Sequence, residues 1–450
     1  MPSESANPAK DLTPRQLHPA VATFQQFMAT TVSSSKLLLL ATIVALVWAN
    51  SPWAAQYFSL WNTELGISIG SFELKEDLAH WVNDGLMVIF FLVVGLEIKR
   101  EVLIGELRSP RRAALPIAGA LGGMVVPAII YTLFNMGHPG AHGWGIPMAT
   151  DIAFALAILA VVGNRIPNGL RVFLTALAIV DDLGAVVVIA IFYTSDLNLT
   201  SFFWAMAMFV LLIIVNRLGI YFLPVYAVLG IAMWLFMLDS GVHATIAGVL
   251  LAMTIPATAR VDVPGYLAAV PARLREIAQG IDGVRDDIAD INQQAAIDEI
   301  DRLTEGLQSP LEKVASRFAA PVSFVIIPIF ALANAGVSFF GDSPPHFDRV
   351  AFGVFLGLFL GKQIGITLAS FAAVKVRLAA MPDGGSWSLL WGVAILGGIG
   401  FTMSLFVAEL AFDDASLLAS AKVGIFAGSI LSAIVGYAIL NAMASRSKSR

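Results

Sequence analysis

The chain has 450 residues, of which 58% are hydrophobic and only 13% are charged. Because about a quarter of the residues of a soluble domain are charged, this composition excludes an ordinary soluble enzyme. The net charge of −5 argues against a nucleic-acid partner, and the absence of cysteine excludes disulfides, thiolate metal sites and thiol nucleophiles.

A membrane-spanning helix needs roughly 20 mostly apolar residues, because the hydrocarbon core of a bilayer is about 30 Å thick. The first 35 residues are polar and rich in Pro and Ser, which predicts a disordered tail followed by an uncleaved first span. The hydropathy pattern then predicts twelve spans, at residues 36–55, 78–102, 113–134, 147–163, 169–193, 201–216, 219–238, 241–257, 319–339, 350–374, 387–410 and 417–443.

Basic residues near helix ends mark the cytoplasmic side of a membrane. In this chain basic residues follow the even-numbered predicted spans. Examples are Lys99, Arg100, Arg165, Arg171, Arg217, Lys375, Arg377 and Arg446. Both termini are therefore predicted to be cytoplasmic. The predicted regions are a tail at 1–35, eight spans within 36–257, a loop at 258–318, four spans within 319–443 and a tail at 444–450.

Two connecting segments have a regular pattern of their own. Residues 258–318 alternate apolar and charged positions, which predicts a cytoplasmic amphipathic hairpin that is either a solvated connector or a regulatory or partner surface. Residues 60–75 alternate with the period of a strand, which predicts a small external β-hairpin. The open edge of such a hairpin could pair with a second copy of the chain.

Five charged residues lie well inside predicted spans, namely Asp84, Asp151, Asp181, Asp182 and Lys362. A charge at a helix centre costs about 2.5–3.5 kcal/mol, so the five together cost on the order of 12–17 kcal/mol. This exceeds the net stability of a typical domain. Structural ion pairs between helices are one explanation, but an adjacent Asp pair with a third Asp and a Lys favours a functional site.

Asp181 and Asp182 are adjacent in an apolar stretch of the fifth predicted span. Neighbouring side chains on a helix point about 100° apart, so one carboxylate can face a cavity while the other meets a partner helix. Crowded carboxylates in a low dielectric can take up and release protons near neutral pH. Once deprotonated, they are the hard anionic ligands that a hard alkali cation prefers. Proton and cation would compete for one site, and that competition is exchange.

Asp151 precedes an uninterrupted apolar run, residues 152–162, which is long enough for only about half a membrane. Gly397-Gly-Ile-Gly400 interrupts the eleventh predicted span in a similar way. Interruptions in both halves of a chain predict unwound helices at the membrane midplane, where Asp151 could neutralise the positive ends of two half-helices. Close packing by small residues is the alternative explanation for the glycines.

The remaining charged residues leave several roles open. Lys362 could pair with an Asp of the fifth span, interact with the dipole of the fourth span, or itself titrate. His243, at the start of the eighth span, is interpreted as a capping or packing residue, with a proton sensor as the alternative. A charge network at the cytoplasmic face, or a lining of the ion pathway, is predicted for the charged residues that end the second span: Glu97, Lys99, Arg100 and Glu101.

Six motifs occur in one order between about residues 30 and 445. They are Ala149-Thr-Asp-Ile-Ala-Phe-Ala-Leu156, Ala176-Leu-Ala-Ile-Val-Asp-Asp-Leu-Gly184, Gly241-Val-His-Ala-Thr245, Phe330-Ala-Leu-Ala-Asn-Ala-Gly336, Gly361-Lys362 and Gly400-Phe-Thr-Met-Ser404. Together they resemble the NhaA family of bacterial sodium/proton antiporters, and the set is specific although each motif alone would be weak.

The resemblance implies an all-α integral membrane fold with twelve helices in inverted repeats, unwound fourth and eleventh helices, and an external β-hairpin that joins a homodimer. It implies a secondary transporter rather than an enzyme, in the bacterial inner membrane. Such a transporter expels cytoplasmic sodium or lithium in exchange for external protons, by an electrogenic, pH-dependent, alternating-access mechanism. Sodium, protons and membrane lipid are the implied partners, and no cofactor is implied.

The motifs also imply roles for single residues. Asp181 and Asp182 match the pair that binds sodium and protons, with Asp182 the more exposed to the ion. Thr150 and Asp151 match the unwound helix, and Lys362 matches a lysine linked to Asp181. The implied pH-response or cytoplasmic-funnel residues are Asp84, Glu97, Lys99, Arg100 and Glu101, to which His243 is added.

Other classes of membrane protein fit less well. A sodium-coupled solute symporter is the main alternative. An intramembrane aspartyl protease would need a Gly-x-Gly-Asp signature, which the sequence lacks, and a retinal protein would need a seven-helix set. Before the ninth span the family often has an acidic residue with histidines nearby, and residues 312–320 depart from that pattern. The resemblance therefore implies pH dependence but not the pH range over which this chain becomes active.

Overall fold

The computed structural model describes residues 19–69, 72–163, 165–194, 197–259, 271, 308–340 and 346–446. This part of the chain is mostly helical and contains one two-stranded sheet. Most of the predicted loop at 258–318 lies outside the described residues, as do residues 1–18 and 447–450 of the two predicted tails.

Seventeen α-helices have both ends within the described residues, and they are numbered in chain order. They are α1 Pro19–Ala49, α2 Ala54–Trp61, α3 Leu78–His80, α4 Met87–Ile104, α5 Pro110–Asn135, α6 Ile152–Val162, α7 Asn168–Phe192, α8 Leu199–Arg217, α9 Leu223–Asp239, α10 Ile246–Thr254, α11 Pro310–Pro321, α12 Ile327–Asn334, α13 Arg349–Leu356, α14 Lys362–Lys375, α15 Trp387–Leu396, α16 Phe401–Ala411 and α17 Ala415–Arg446. The 3₁₀ segments are Glu106–Arg108 and Pro139–Met148, and the π-helical segments are Trp81–Leu86, Val322–Ile326 and Gly357–Gly361.

Six helical runs of the described chain are long and apolar enough to cross a membrane, and the number rises to nine if each bent pair counts as one span. The six are Pro110–Asn135, Asn168–Phe192, Leu199–Arg217, Pro310–Asn334, Arg349–Lys375 and Ala415–Met443. Helix α9 is apolar but has 17 residues, α10 has 9, and α4 carries four charged side chains. The fold is that of a helical membrane protein, and the total of twelve spans stays a prediction.

The interruptions predicted in the fourth and eleventh spans are present. The 3₁₀ segment before Ala149 and helix α6 are bent by 42° around residues 149–151, and α15 and α16 are bent by 49° around residues 397–400. A third bend of 117° separates α1 from α2. Helix α1 also differs from the prediction, because it begins at Pro19, inside the stretch predicted as a disordered tail.

The predicted β-hairpin is present between α2 and α3, with bounds shifted by a few residues. Strands β1 (Glu64–Ile69) and β2 (Phe72–Asp77) pair antiparallel, with Glu64 opposite Asp77. A two-stranded hairpin is marginally stable by itself. The indole nitrogen of Trp81 donates to the carbonyl oxygen of Leu65 at 2.9 Å, which ties the hairpin to the helix that follows.

Helices α5 and α14 pack closely, because glycines meet at their contact. A Cβ atom added to Gly365 would overlap with the backbone carbonyl oxygen of Gly122, which cannot move without shifting α5.

We expect Gly365→Ala to destabilise the protein by about 1–3 kcal/mol or more, because overpacking a tight contact forces backbone shifts. The measurement is the thermal unfolding midpoint of the detergent-solubilised protein. Gly85→Ala is the control, because its new methyl group would meet its nearest atom at 3.5 Å, an ordinary van der Waals distance. An equal loss of stability in Gly85→Ala would contradict the explanation by overpacking.

Candidate functional site

The two interrupted helices meet at their breaks, where hydrogen bonds join the two unwound segments. The backbone N–H of Asp151 donates to the carbonyl oxygen of Ile399 at 2.6 Å. The hydroxyl of Thr150 donates to the carbonyl oxygen of Gly397 at 2.9 Å. Each unwound segment therefore satisfies polar backbone groups of the other, which a membrane interior requires.

Asp151 lies between the N-terminal ends of α6 and α16. Its Oδ1 accepts a hydrogen bond from the backbone N–H of Phe154 at 3.0 Å, within the first turn of α6. Its Oδ2 accepts from the backbone N–H of Thr402 at 3.2 Å and from the Thr402 hydroxyl at 2.5 Å. A carboxylate is stabilised at helix N-termini, where the backbone dipoles leave partial positive charge. The predicted position of Asp151 between two half-helix ends is confirmed.

Lys362 pairs with Asp181, which is one of the three roles left open for it. Its Nζ lies 2.6 Å from Asp181 Oδ2, and neither side chain is exposed. Lys362 begins α14 directly after the π-helical segment Gly357–Gly361. Such segments are frequent at functional sites, since they change the direction in which the next side chain points.

Asp182 differs from its neighbour, as the helical geometry predicts. It is only 2% exposed, and among the described residues it forms no ion pair or hydrogen bond. Asp182 lines a cavity of about 150 Å³, to which Asp181 does not contribute. Polar residues that share this cavity are Ser34, Glu97, Asp151, Ser323 and Thr402. One carboxylate of the pair thus meets a partner helix while the other faces a cavity.

The buried charges of this centre do not balance. Three carboxylates, those of Asp151, Asp181 and Asp182, accompany the single ammonium group of Lys362. An uncompensated charge in a low dielectric is costly, so protons or a bound cation must supply the missing positive charge. Within the described residues, no three His, Asp or Glu side chains lie close enough to hold a metal ion by themselves. A cation at Asp182 would therefore need hydroxyl, carbonyl or water oxygens as further ligands.

Comparison with known proteins identifies the family. A family model described as Na+/H+ antiporter 1 matches residues 25–440 of the chain. The chain belongs to the NhaA family. An Na(+)/H(+) antiporter NhaA from Oleidesulfovibrio alaskensis is 44% identical over 431 residues, which are 96% of this chain and 96% of that protein. The Na(+)/H(+) antiporter NhaA of Sulfurimonas denitrificans is 45% identical over 418 residues, 92% of this chain and 94% of that protein.

The charged end of α4 does not act as one network in this NhaA-family protein. Glu97 lines the cavity of Asp182. The ammonium of Lys99 instead donates to three carbonyl oxygens at the C-terminal end of α10, at 3.4, 2.7 and 2.5 Å. Arg100 and Glu101 form a loose ion pair of 4.0 Å. Of the two roles predicted for the charged residues at this helix end, lining the ion pathway fits Glu97. A charge network at the cytoplasmic face fits only Arg100 and Glu101.

Asp84 lies far from Glu97, with which it was grouped as an implied pH-response or cytoplasmic-funnel residue. It lies in the π-helical segment next to the hairpin, in a cavity of about 220 Å³ that Glu76 and His80 also line. Glu97 is 13 residues further along the same helical run, which corresponds to roughly 20 Å. The structure therefore places Asp84 and Glu97 in different cavities, and their part in a pH response stays a prediction.

His243 packs against the end of α7 and does not cap α10. Its Nε2 lies 2.7 Å from the backbone oxygen of Tyr193, and the residue that precedes α10 is Thr245. This contact is the one expected of a packing residue, and the alternative of a proton sensor stays a prediction. This contact joins the loop before α10 to the helix that carries Asp181 and Asp182.

Three hydroxyl residues of this NhaA-family site, Ser34, Ser323 and Thr402, were not among the predicted site residues. Thr402 binds Asp151 directly, and Ser34 of α1 lines the cavity. Thr402 stands two residues after the glycine-rich interruption, so a hydroxyl at the start of a half-helix was a usable signal. Ser34 had no such signal, because it precedes the predicted start of the first span.

Proposed function

We propose that the protein is an electrogenic, pH-dependent antiporter that expels cytoplasmic sodium or lithium in exchange for external protons. The observation that carries this proposal is Asp182, a buried carboxylate that faces a cavity and has no partner among the described residues. The family relationship supports sodium and protons as the exchanged ions. A sodium-coupled solute symporter is not favoured by that relationship.

The chemistry of exchange follows from charge compensation. A sodium ion at Asp182 supplies the missing positive charge and displaces the proton that otherwise neutralises the carboxylate, so the two occupants exclude each other. The empty site carries uncompensated charge and does not reorient across the membrane, because moving that charge through a low dielectric is costly. A site that reorients only when occupied exchanges one ion for the other. Because the proposed exchange carries more protons than sodium ions per cycle, net charge moves across the membrane, which couples the exchange to the membrane potential at about 2.3 kcal/mol per charge per 100 mV.

The finer features of the family belong to the same proposal. We infer twelve spans in inverted repeats, alternating access at the crossing of the two interrupted helices, and both termini on the cytoplasmic side of the bacterial inner membrane. We further infer a homodimer that forms through the open edge of the β1–β2 hairpin, which has only two strands. The protein needs no cofactor in this mechanism.

Regulation by pH is proposed for the charged end of α4. Glu97 lines the cavity of Asp182, so its charge acts directly on an ion that enters there. Lys99 donates a hydrogen bond to the end of α10, and Arg100 forms an ion pair with Glu101. These contacts would couple a change of charge on Glu97 to neighbouring elements. Asp84 and His243 would influence the site only from a distance.

The test is a vesicle assay in which a dye reports an imposed pH gradient. We expect sodium and lithium to dissipate the gradient and potassium to have no effect. We also expect the apparent KM for sodium to rise about tenfold per pH unit as pH falls through the range where one proton competes with one cation. A KM that does not change with pH would contradict the shared site. Uptake of an added solute with sodium, without proton release, would favour the symporter.

A further inference from the structure

The hydroxyl of Thr402 has a defined orientation. Thr402 is 4% exposed and is the second residue of α16. Its oxygen lies 2.5 Å from Asp151 Oδ2, and its own backbone N–H donates to the same carboxylate oxygen. A hydroxyl has one proton and two lone pairs. Because the proton is directed to Asp151, both lone pairs are left for another partner.

The same side chain lines the cavity of Asp182. Asp151, Asp182 and Thr402 all contribute to this cavity of about 150 Å³. Within the described part of the chain, no group donates a hydrogen bond to the Thr402 oxygen. A buried oxygen with free lone pairs, next to a carboxylate that has no partner, is a suitable ligand for a hard cation.

We propose that Thr402 supplies a neutral oxygen ligand to the cation held at Asp182 and sets the selectivity between sodium and lithium. This inference rests on the proposed antiport function. Asp151 holds the hydroxyl in place, and the first turn of α16 holds the backbone, so the ligand has a fixed position. Selectivity between ions of equal charge depends on ligand number, cavity size and rigidity. The smaller lithium ion needs fewer ligands, so loss of one oxygen weakens sodium binding more.

The experiment compares three variants in the vesicle assay, with separate KM values for sodium and lithium. Thr402→Val keeps the side-chain shape and removes the hydroxyl, and Thr402→Ser keeps the hydroxyl. Thr132→Val is the matched control, because that hydroxyl bonds only to the carbonyl oxygen of Ala128 in its own helix. We expect Thr402→Val to raise the KM for sodium about tenfold and that for lithium clearly less. Thr402→Ser and Thr132→Val should keep the wild-type ratio of the two constants.

A purely structural role of Thr402 would give a different result. It would lower the turnover, or raise both constants equally, without changing their ratio, and either result overturns the proposal. The proposal is also overturned if Thr402→Ser shows the ratio of sodium to lithium KM that is expected for Thr402→Val. The serine variant therefore keeps the test decisive if the valine variant does not fold. Absence of sodium/proton exchange in the wild-type protein would refute the proposed function instead, whereas an active wild type with an unaffected Thr402→Val refutes only this inference.

Discussion

Asp182→Asn is expected to reduce sodium/proton exchange by about a hundredfold or more while leaving the protein folded. The asparagine side chain has nearly the same shape but can neither bind a cation by charge nor exchange a proton at neutral pH. Compensation of a buried carboxylate is worth several kcal/mol, and every 1.4 kcal/mol is a factor of ten in affinity. The measurement is sodium-induced recovery of dye fluorescence in vesicles that contain equal amounts of each protein.

The variant should also be at least as stable to heat as the wild type. Asp182 is buried without a partner in the described residues, so the folded protein must hold either an uncompensated charge or a proton there, and asparagine removes both costs. Loss of activity together with retained stability separates a transport role from misfolding. Asp413→Asn makes the same change at an exposed loop position and should leave exchange unaltered. Wild-type exchange by Asp182→Asn would exclude Asp182 as the ion-binding residue.

Lys362→Met is expected to cost about 3–5 kcal/mol of stability, because it leaves the buried Asp181 carboxylate without its counter-charge. The midpoint of thermal unfolding in detergent should therefore fall by several degrees. Combining it with Asp181→Asn removes both charges of the pair. This double variant should recover much of the loss, since replacing a buried pair by neutral groups is often close to neutral in stability.

Lys422→Met is the matched control for this experiment. It breaks a pair of similar length, 2.7 Å to Glu409, whose side chains are 10% and 19% exposed. Solvent screens that pair in part, so its loss should cost less. If the double variant is no more stable than Lys362→Met alone, the two side chains are not coupled as their distance implies.

Local pattern was sufficient to predict the elements that form the site. The run 152–162 was too short to cross a bilayer, and the glycines before Phe401 interrupted another apolar stretch, so both breaks could be predicted. The adjacent carboxylates of the fifth span stood out because charge inside a membrane is costly. These inferences depend only on the length of a helix and on the cost of burying a charge.

Contacts between distant parts of the chain could not be predicted in this way. Lys362 and Asp181 are 181 positions apart, and the sequence left three roles open for the lysine. Thr402 and Asp151 are 251 positions apart, and their bond exists only because the breaks of the two interrupted helices meet. Helical periodicity defines the face on which a side chain lies, but it does not define which other helix packs on that face.

Residue pattern alone was enough to predict a helical membrane protein with interrupted spans, a β-hairpin and a carboxylate pair that needs a cation or protons. The packing of the helices established that Asp181 is neutralised by Lys362 while Asp182 faces a cavity, that Glu97 reaches this cavity, and that Asp84 does not. The physical reason is that burial cost is a property of each residue, whereas charge compensation depends on which residues the packing of the helices brings together.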